Sequence, residues 1–141
     1  MALLKDGYQT LITFAEDPTV EFYEKTVTPP GMDAGGANDT STMRTVRWRT
    51  RYPKALVTAT DMTLTAAYDP VVYDSIVDML GVNQLITITF PDTSTLEFWG
   101  WLNEFRPGEH REGEQPVATV TIMCSNVNDS DVETPPVYTA P

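Results

Sequence analysis

The sequence predicts a mainly β (α+β) domain. The expected form is an antiparallel β-sandwich or barrel with one flanking helix, near residues 69–81, and a long early loop, near residues 29–43. Three observations carry that reading. Several short segments alternate apolar and polar side chains with a period of two, and turn residues separate them. A single segment has helical spacing with capping residues at both ends. The 141 residues hold no internal repeat and suffice for one domain around one core.

The strands begin with residues 8–16, YQTLITFAE, where Ile12 and Phe14 share a face. A turn at Asp17, Pro18 and Thr19 leads into residues 20–28, VEFYEKTVT, with Val20, Phe22 and Glu24 on one side. The loop PPGMDAGGANDTSTM follows, rich in Gly and small polar residues. Loops longer than about 12 residues are usually functional or disordered. Residues 43–52, MRTVRWRTRY, read as a strand that places Arg47, Arg49 and Arg51 on one face. In residues 61–68, Met62, Leu64 and Ala66 line one face of a further strand.

The helix is marked by Asp69 as N-cap, Pro70 at its first position and Gly81 just past its end. Val72, Tyr73, Ile76, Val77 and Leu80 recur at helical spacing. Residues 84–90 and 96–105 then form a hairpin across the turn PDTST. Leu96, Phe98, Gly100 and Leu102 share one face of its second strand, and Gly100 marks a bulge or a close backbone approach. Residues 106–116 are a polar loop and 117–127 the last strand. The domain is taken as residues 1–127. Residues 128–141 are acidic, Pro-rich and expected as an extended tail.

Charge narrows the function. Nine Lys and Arg against twenty Asp and Glu give a net charge of −11 and a pI near 4.2. Affinity for DNA comes mainly from cation–phosphate contacts, so specific DNA binding is not expected. Anionic membranes are disfavoured for the same reason, and no apolar run is long enough to span a bilayer. The sole cysteine, Cys124, closes no disulfide within the chain, and the N-terminus lacks a leader-like apolar run. Synthesis and folding in a cytosol are expected.

No catalytic, cofactor or metal site is expected. His110, the only histidine, lies in a charged loop and reads as a solvated residue. A Cys124–His110 dyad is conceivable, but a strand cysteine is usually inert. Glu97, Glu104, Glu109, Glu112 and Glu114 could supply a carboxylate pair, yet nothing fixes their separation. GMDAGG lacks the ending of a phosphate loop.

Two clusters remain. Trp99 and Trp101 project to one strand face about 7 Å apart. They suit a buried seam or subunit interface, the preferred reading, or a platform for sugars in a carbohydrate-binding module. Arg44, Arg47, Arg49, Arg51 and Lys54 are five of the nine basic residues. They suit a solvated edge strand or, more sharply, a charge stripe that binds acidic surface on another copy; nucleic acid is the weakest reading, because the surrounding field is negative.

Several stretches occur in a familiar order: DTSTMRTVRW, YPKAL, AYDPVVYDSIVDMLGVN, ITITFPDTSTLEFWGWLNEFRPG and PVATVTIMCSN. Over residues 20–126 this arrangement resembles the major tail tube proteins of long-tailed bacteriophages, which share a fold with type VI secretion tube proteins. The resemblance implies a structural virion protein, made in the host cytoplasm, whose hexameric rings stack into the tube for genome ejection. Its partners would be its own copies and other tail proteins: tape measure, terminator and baseplate. DNA would pass through the lumen without specific binding. It also implies that the early loop, with Gly31, Met32, Asp33, Gly35, Gly36, Asn38 and Asp39, contacts a neighbouring subunit or ring. No added immunoglobulin-like domain is expected after Asn126. A terminator or baseplate ring of the same fold is the near alternative.

Overall fold

The computed structural model describes residues 10–17, 22–67 and 73–141. In chain order its elements are β1 (Leu11–Phe14), β2 (Tyr23–Thr28), β3 (Met32–Asp33), β4 (Ala37–Asp39), β5 (Arg51–Pro53), β6 (Thr58–Ala59), β7 (Met62–Ala67), α1 (Tyr73–Met79), β8 (Gln84–Thr89), β9 (Thr95–Pro107), β10 (Val117–Cys124) and β11 (Val137–Thr139). Seven strands build one antiparallel sheet in the order β1-β8-β9-β10-β7-β2, with β11 also on β9.

β9 is 13 residues long and serves two half-sheets. Its first part pairs with β8 from Thr95 to Gly100, and its second part pairs with β10 from Gly100 to Pro107. The alternation expected from the sequence sets the buried face. Ile12 and Phe14 of β1, Met62, Leu64 and Ala66 of β7, Ile86 and Ile88 of β8, Phe98 and Leu102 of β9, and Val120 and Ile122 of β10 form one core. Each large apolar side chain so buried contributes about 1.5–3 kcal/mol. The opposite face is rich in threonine. Thr119 faces Thr65, Thr121 faces Thr63, and the Thr26 and Thr65 hydroxyls bond to each other.

The sheet curls until its two edges meet. Phe14 and Phe22 make a T-shaped contact at 5.6 Å, and Phe22 stacks on Phe105 at 6.4 Å. The Ile12 N–H donates to Glu24 Oε1 at 3.2 Å. Among the described residues no ladder joins β1 to β2, so the sheet stays open and sandwich-like rather than closing into a barrel.

Two bulges break the simple alternation. One falls between Glu24 and Thr26 and turns Val27 toward the core that Phe22 also enters. The other leaves Asn103 unpaired opposite Thr121 and Ile122, and it returns Phe105 to the core side. Gly100 is a close approach rather than a bulge. A Cβ there would lie 2.2 Å from the Met123 carbonyl oxygen.

α1 packs Ile76 and Met79 into the core, while Val77 and, just past the helix, Leu80 are partly exposed. Gly81 has a φ of 73° and ends the helix as expected, its N–H donating to the Leu102 carbonyl at 3.1 Å. The expected cap and first helical positions, Asp69 and Pro70, lie outside the described residues, as do Tyr8, Pro18, Thr19, Val20 and Val72. Within residues 128–141, β11 pairs with Thr95, Leu96 and Glu97 of β9. The β-branched Val137 and Thr139 suit an edge that β9 leaves open beyond β10.

Cys124 is half-buried, and its thiol donates to the Thr60 carbonyl at 3.6 Å. Burial, and then the charge of Asp61, push the thiol up from 9.0 to about 11. At neutral pH it is protonated and a poor nucleophile.

Two expectations follow. Gly100→Ala forces the Met123 backbone to shift and costs about 1–3 kcal/mol, whereas Thr119→Ala on the exposed face stays within about 0.5 kcal/mol. Urea unfolding midpoints of the two variants measure the difference. For Cys124 the folded value is raised, so its contribution is present in full below the unfolded value of 9.0 and is lost as pH rises toward about 11. Stability should therefore fall more steeply from pH 9 to 11 in the native protein than in Cys124→Ala.

Candidate functional site

Between β2 and β7 the chain leaves the sheet as a hairpin arm, residues 29–61. Its base continues the β2–β7 ladder. Gly31 N–H donates to Thr60 Oγ1 at 2.7 Å, and Thr60 N–H donates to the Gly31 carbonyl at 2.9 Å. β3 pairs with β6 through Met32–Ala59 and Asp33–Thr58. Further out, β4 pairs with β5 through Ala37–Pro53, Asn38–Tyr52 and Asp39–Arg51. Gly35 and Gly36 separate the two ribbons with φ values of 82° and 85°, a conformation that only glycine adopts freely. The Asp33 carboxylate accepts from Gly35 N–H at 2.8 Å and closes the bend.

The tip is built from short polar side chains. Thr40 N–H donates to the Thr50 carbonyl at 2.8 Å, and Thr50 N–H to Ser41 Oγ at 2.9 Å. Thr45 N–H donates to the Thr42 carbonyl at 3.0 Å, and Thr42 N–H to Thr45 Oγ1 at 2.8 Å. Asp39 pairs with Arg49 at 2.8 Å. The Ser41 N–H, followed by the Ser41 hydroxyl, holds the Asp39 carboxyl below its usual range, with Arg49 a smaller cause and desolvation opposing.

Part of the arm's backbone is thus paired, but its large apolar side chains are not covered. Met32, Met43, Val46, Trp48, Tyr52, Leu56 and Val57 are all exposed, with Val46 at 99 %, Leu56 at 83 % and Trp48 at 78 %. None belongs to the core. Exposed apolar surface in such concentration marks an interaction site. Cations lie among these residues. Arg47 sits over the Trp48 ring at 5.7 Å, and Arg44, Arg51 and Lys54 have no ion-pair partner among the described residues.

Two expectations from the sequence are corrected in this segment. Residues 29–43 are not a structureless loop, because residues 51–59 return alongside and pair with them. Residues 43–52 are not a continuous strand. Of the three arginines only Arg51 lies in β5, while Arg47 is at a bend and Arg49 turns to Asp39. A hairpin must reverse somewhere, and the Ser and Thr side chains near the tip bond locally in place of a ladder. The cations are therefore spread from the tip to the joint between the ribbons instead of lining one strand face. Of the expected loop residues, Met32 and Asp33 are in β3, Asn38 and Asp39 in β4, and Gly31, Gly35 and Gly36 at the joints.

Other candidates are not brought together. Cys124 ends β10, whereas His110 lies in the loop before its start, so no dyad forms. Glu104 pairs with Arg106 at 2.8 Å and Glu109 with Arg111 at 3.0 Å. No group of His, Cys, Asp and Glu suited to a metal occurs among the described residues. Trp99 and Trp101 are half-buried on the sheet face away from the core, opposite Leu85 and Met123.

No family model and no curated protein matches the sequence. Solved structures do match in fold. A chain from the tail of an empty gene transfer agent (GTA) particle, refined helically with C6 symmetry, gives a TM-score of 0.68 at 10 % identity, covering 97 % of this chain and 100 % of that one. A chain from the virion of the native gene transfer agent gives 0.67 at 10 % identity over the same shares. A chain from the six-fold symmetrised baseplate of the anti-feeding prophage gives 0.65 at 9 % identity, covering 99 % and 98 %. The chain therefore has a phage tail tube-like fold, shared across nearly its whole length with subunits of these tails and baseplates.

Proposed function

We propose that this chain is a structural subunit of a phage-like tail, which assembles with its own copies into hexameric rings that stack into a tube. The observation that carries this reading is the arm. Its backbone is held by two short ribbons, yet seven large apolar side chains and a group of cations face solvent. Contact with another chain would bury them. Six-fold symmetry in the particles that share the fold supports rings of six. In this reading the protein acts by assembly rather than catalysis, resides in the virion, and meets other tail proteins at the two ends of the tube. Its acidity keeps the wall from gripping the genome during ejection, since like charges repel and few counterions are released.

A second reading is favoured by the anti-feeding prophage match: a single ring in a baseplate. Electron microscopy of the concentrated protein separates the two, because a tube subunit gives tubes of indefinite length and a baseplate ring gives rings of one height.

The arm is tested by replacing residues 31–60 with Asn-Gly, a turn that joins antiparallel strands well. The variant should remain folded and monomeric and form no tubes. Tubes of normal diameter from it contradict the assignment. Trp48 reports the same event optically. Its emission should shift to the blue on assembly, and the shift should be absent in Trp48→Phe. An unchanged spectrum in assembled tubes means that the tip stays in water.

A further inference from the structure

We propose that Glu24 guards the open seam of the sheet. Its carboxylate holds β1 beside β2 within the subunit and keeps the edge of β1 from being extended by the β1 edge of a second copy. This goes beyond the reading of the arm and does not depend on it.

The two ends of the sheet order, β1 and β2, come together without a ladder among the described residues. Phe14 and Phe22 close the core side of the gap with their ring contact at 5.6 Å. The backbone along the gap needs a different solution. Ala15 N–H donates to the Leu85 carbonyl at 3.1 Å, and N–H groups alternate sides along a strand. Those of Leu11 and Thr13 therefore face β8, and those of Ile12 and Phe14 face the gap. An edge of this kind is a template for pairing with another chain.

Side chains occupy this edge where a strand would. Glu24 Oε1 accepts from Ile12 N–H at 3.2 Å. Just past β1, Gln84 Oε1 accepts from Glu16 N–H at 2.9 Å. Gln84 is 3 % exposed, and its Nε2 has no hydrogen-bond partner among the described residues. A buried donor without a partner is costly, so the acceptor that closes the end of β1 is kept at the expense of core stability. The bulge between Glu24 and Thr26 bends β2 beside the seam, and Lys25, exposed at that bulge, adds a charge to the β2 edge. Glu24 is half-buried, and an ionised carboxylate only accepts hydrogen bonds. It satisfies the β1 N–H, and a strand that displaced it would leave a charge in the seam without that partner.

Without the guard, two β1 edges can pair about a two-fold axis. Ile12 of one copy would exchange hydrogen bonds with Phe14 of the other. That register sets Thr13, which is exposed, opposite its own counterpart, with Cα atoms about 4.5 Å apart. Such a spacing admits a disulfide.

The test places Thr13→Cys in the full chain under oxidised glutathione, alone and combined with Glu24→Ala or Glu24→Gln. Cys124, half-buried and protonated at neutral pH, competes poorly. Cross-linked dimer should form about tenfold faster or more with Glu24→Ala, and stay within about threefold of the Thr13→Cys rate with Glu24→Gln, which keeps an acceptor oxygen. Without Thr13→Cys, Glu24→Ala should also speed exchange of the Ile12 amide about tenfold. Ile122→Val weakens the core in β10 away from the seam and controls for general loss of stability; it should accelerate neither process. Glu24→Asp keeps the charge but shortens its reach, and takes the place of the alanine variant if that does not fold. Equal cross-linking with and without Glu24→Ala, an Ile12 amide that Glu24→Ala leaves unmoved, or the same acceleration from Ile122→Val overturns the inference. Because the cross-link reads β1 itself, a lack of tubes from the native protein counts against the reading of the arm and not against this one.

Discussion

The passage of β9 past Gly100 is the constraint on which the remaining structure depends. At that residue β8 ends its pairing on one edge and β10 begins on the other. The Met123 carbonyl lies where any side chain would stand. Because the two half-sheets meet there, their apolar faces share one core from β1 to β7. The core in turn fixes the β2–β7 pair, and that pair sets the direction of the arm. The rigid body thus acts as a mount for a segment that has no core of its own.

In the arm the usual division of labour is split between backbone and side chains. Its ladders and local turns satisfy the main chain with exposed hydrogen bonds, each worth only about 0.5–1.5 kcal/mol net. Its apolar side chains forgo the burial that would stabilise them, up to about 1.5–3 kcal/mol for each large one. The cations between them act as a check on non-specific pairing, since strand edges that carry charge repel copies of themselves. A surface of opposite charge removes that check. On the proposed reading, a subunit so built would stay dispersed until the correct surface is presented, as ordered growth of a tube requires.

Much of the body was legible in the sequence because its signals are local. Period-two burial in β7, β8 and β10, Gly81 after the helix and the tight site at Gly100 all follow from residue type and spacing. The bulges at Lys25 and Asn103 were not legible, since each depends on a partner strand distant in sequence. β11 was hidden for the same reason. Its three residues gain meaning only against the free edge of β9. The arm shows the limit most clearly. Gly, Asp, Asn and Thr at residues 31–42 announce flexibility, but the strands that pair with them come from YPKALVTAT, which alone resembles a turn-rich linker. The exposure of Trp48 could not be read from alternation, because residues 43–52 do alternate, and only the lack of an apolar surface opposite leaves it in water.

The central claim is that the arm is completed by another copy of the chain. Hydrogen exchange, compared between dispersed and assembled protein, tests it most directly. The account predicts that amides of residues 37–53 exchange quickly in the dispersed subunit, as exposed hydrogen bonds do. They should slow by at least about tenfold on assembly, while those of β8 and β10 change little. Equal exchange across residues 37–53 in the two states, with new protection appearing only elsewhere, contradicts it.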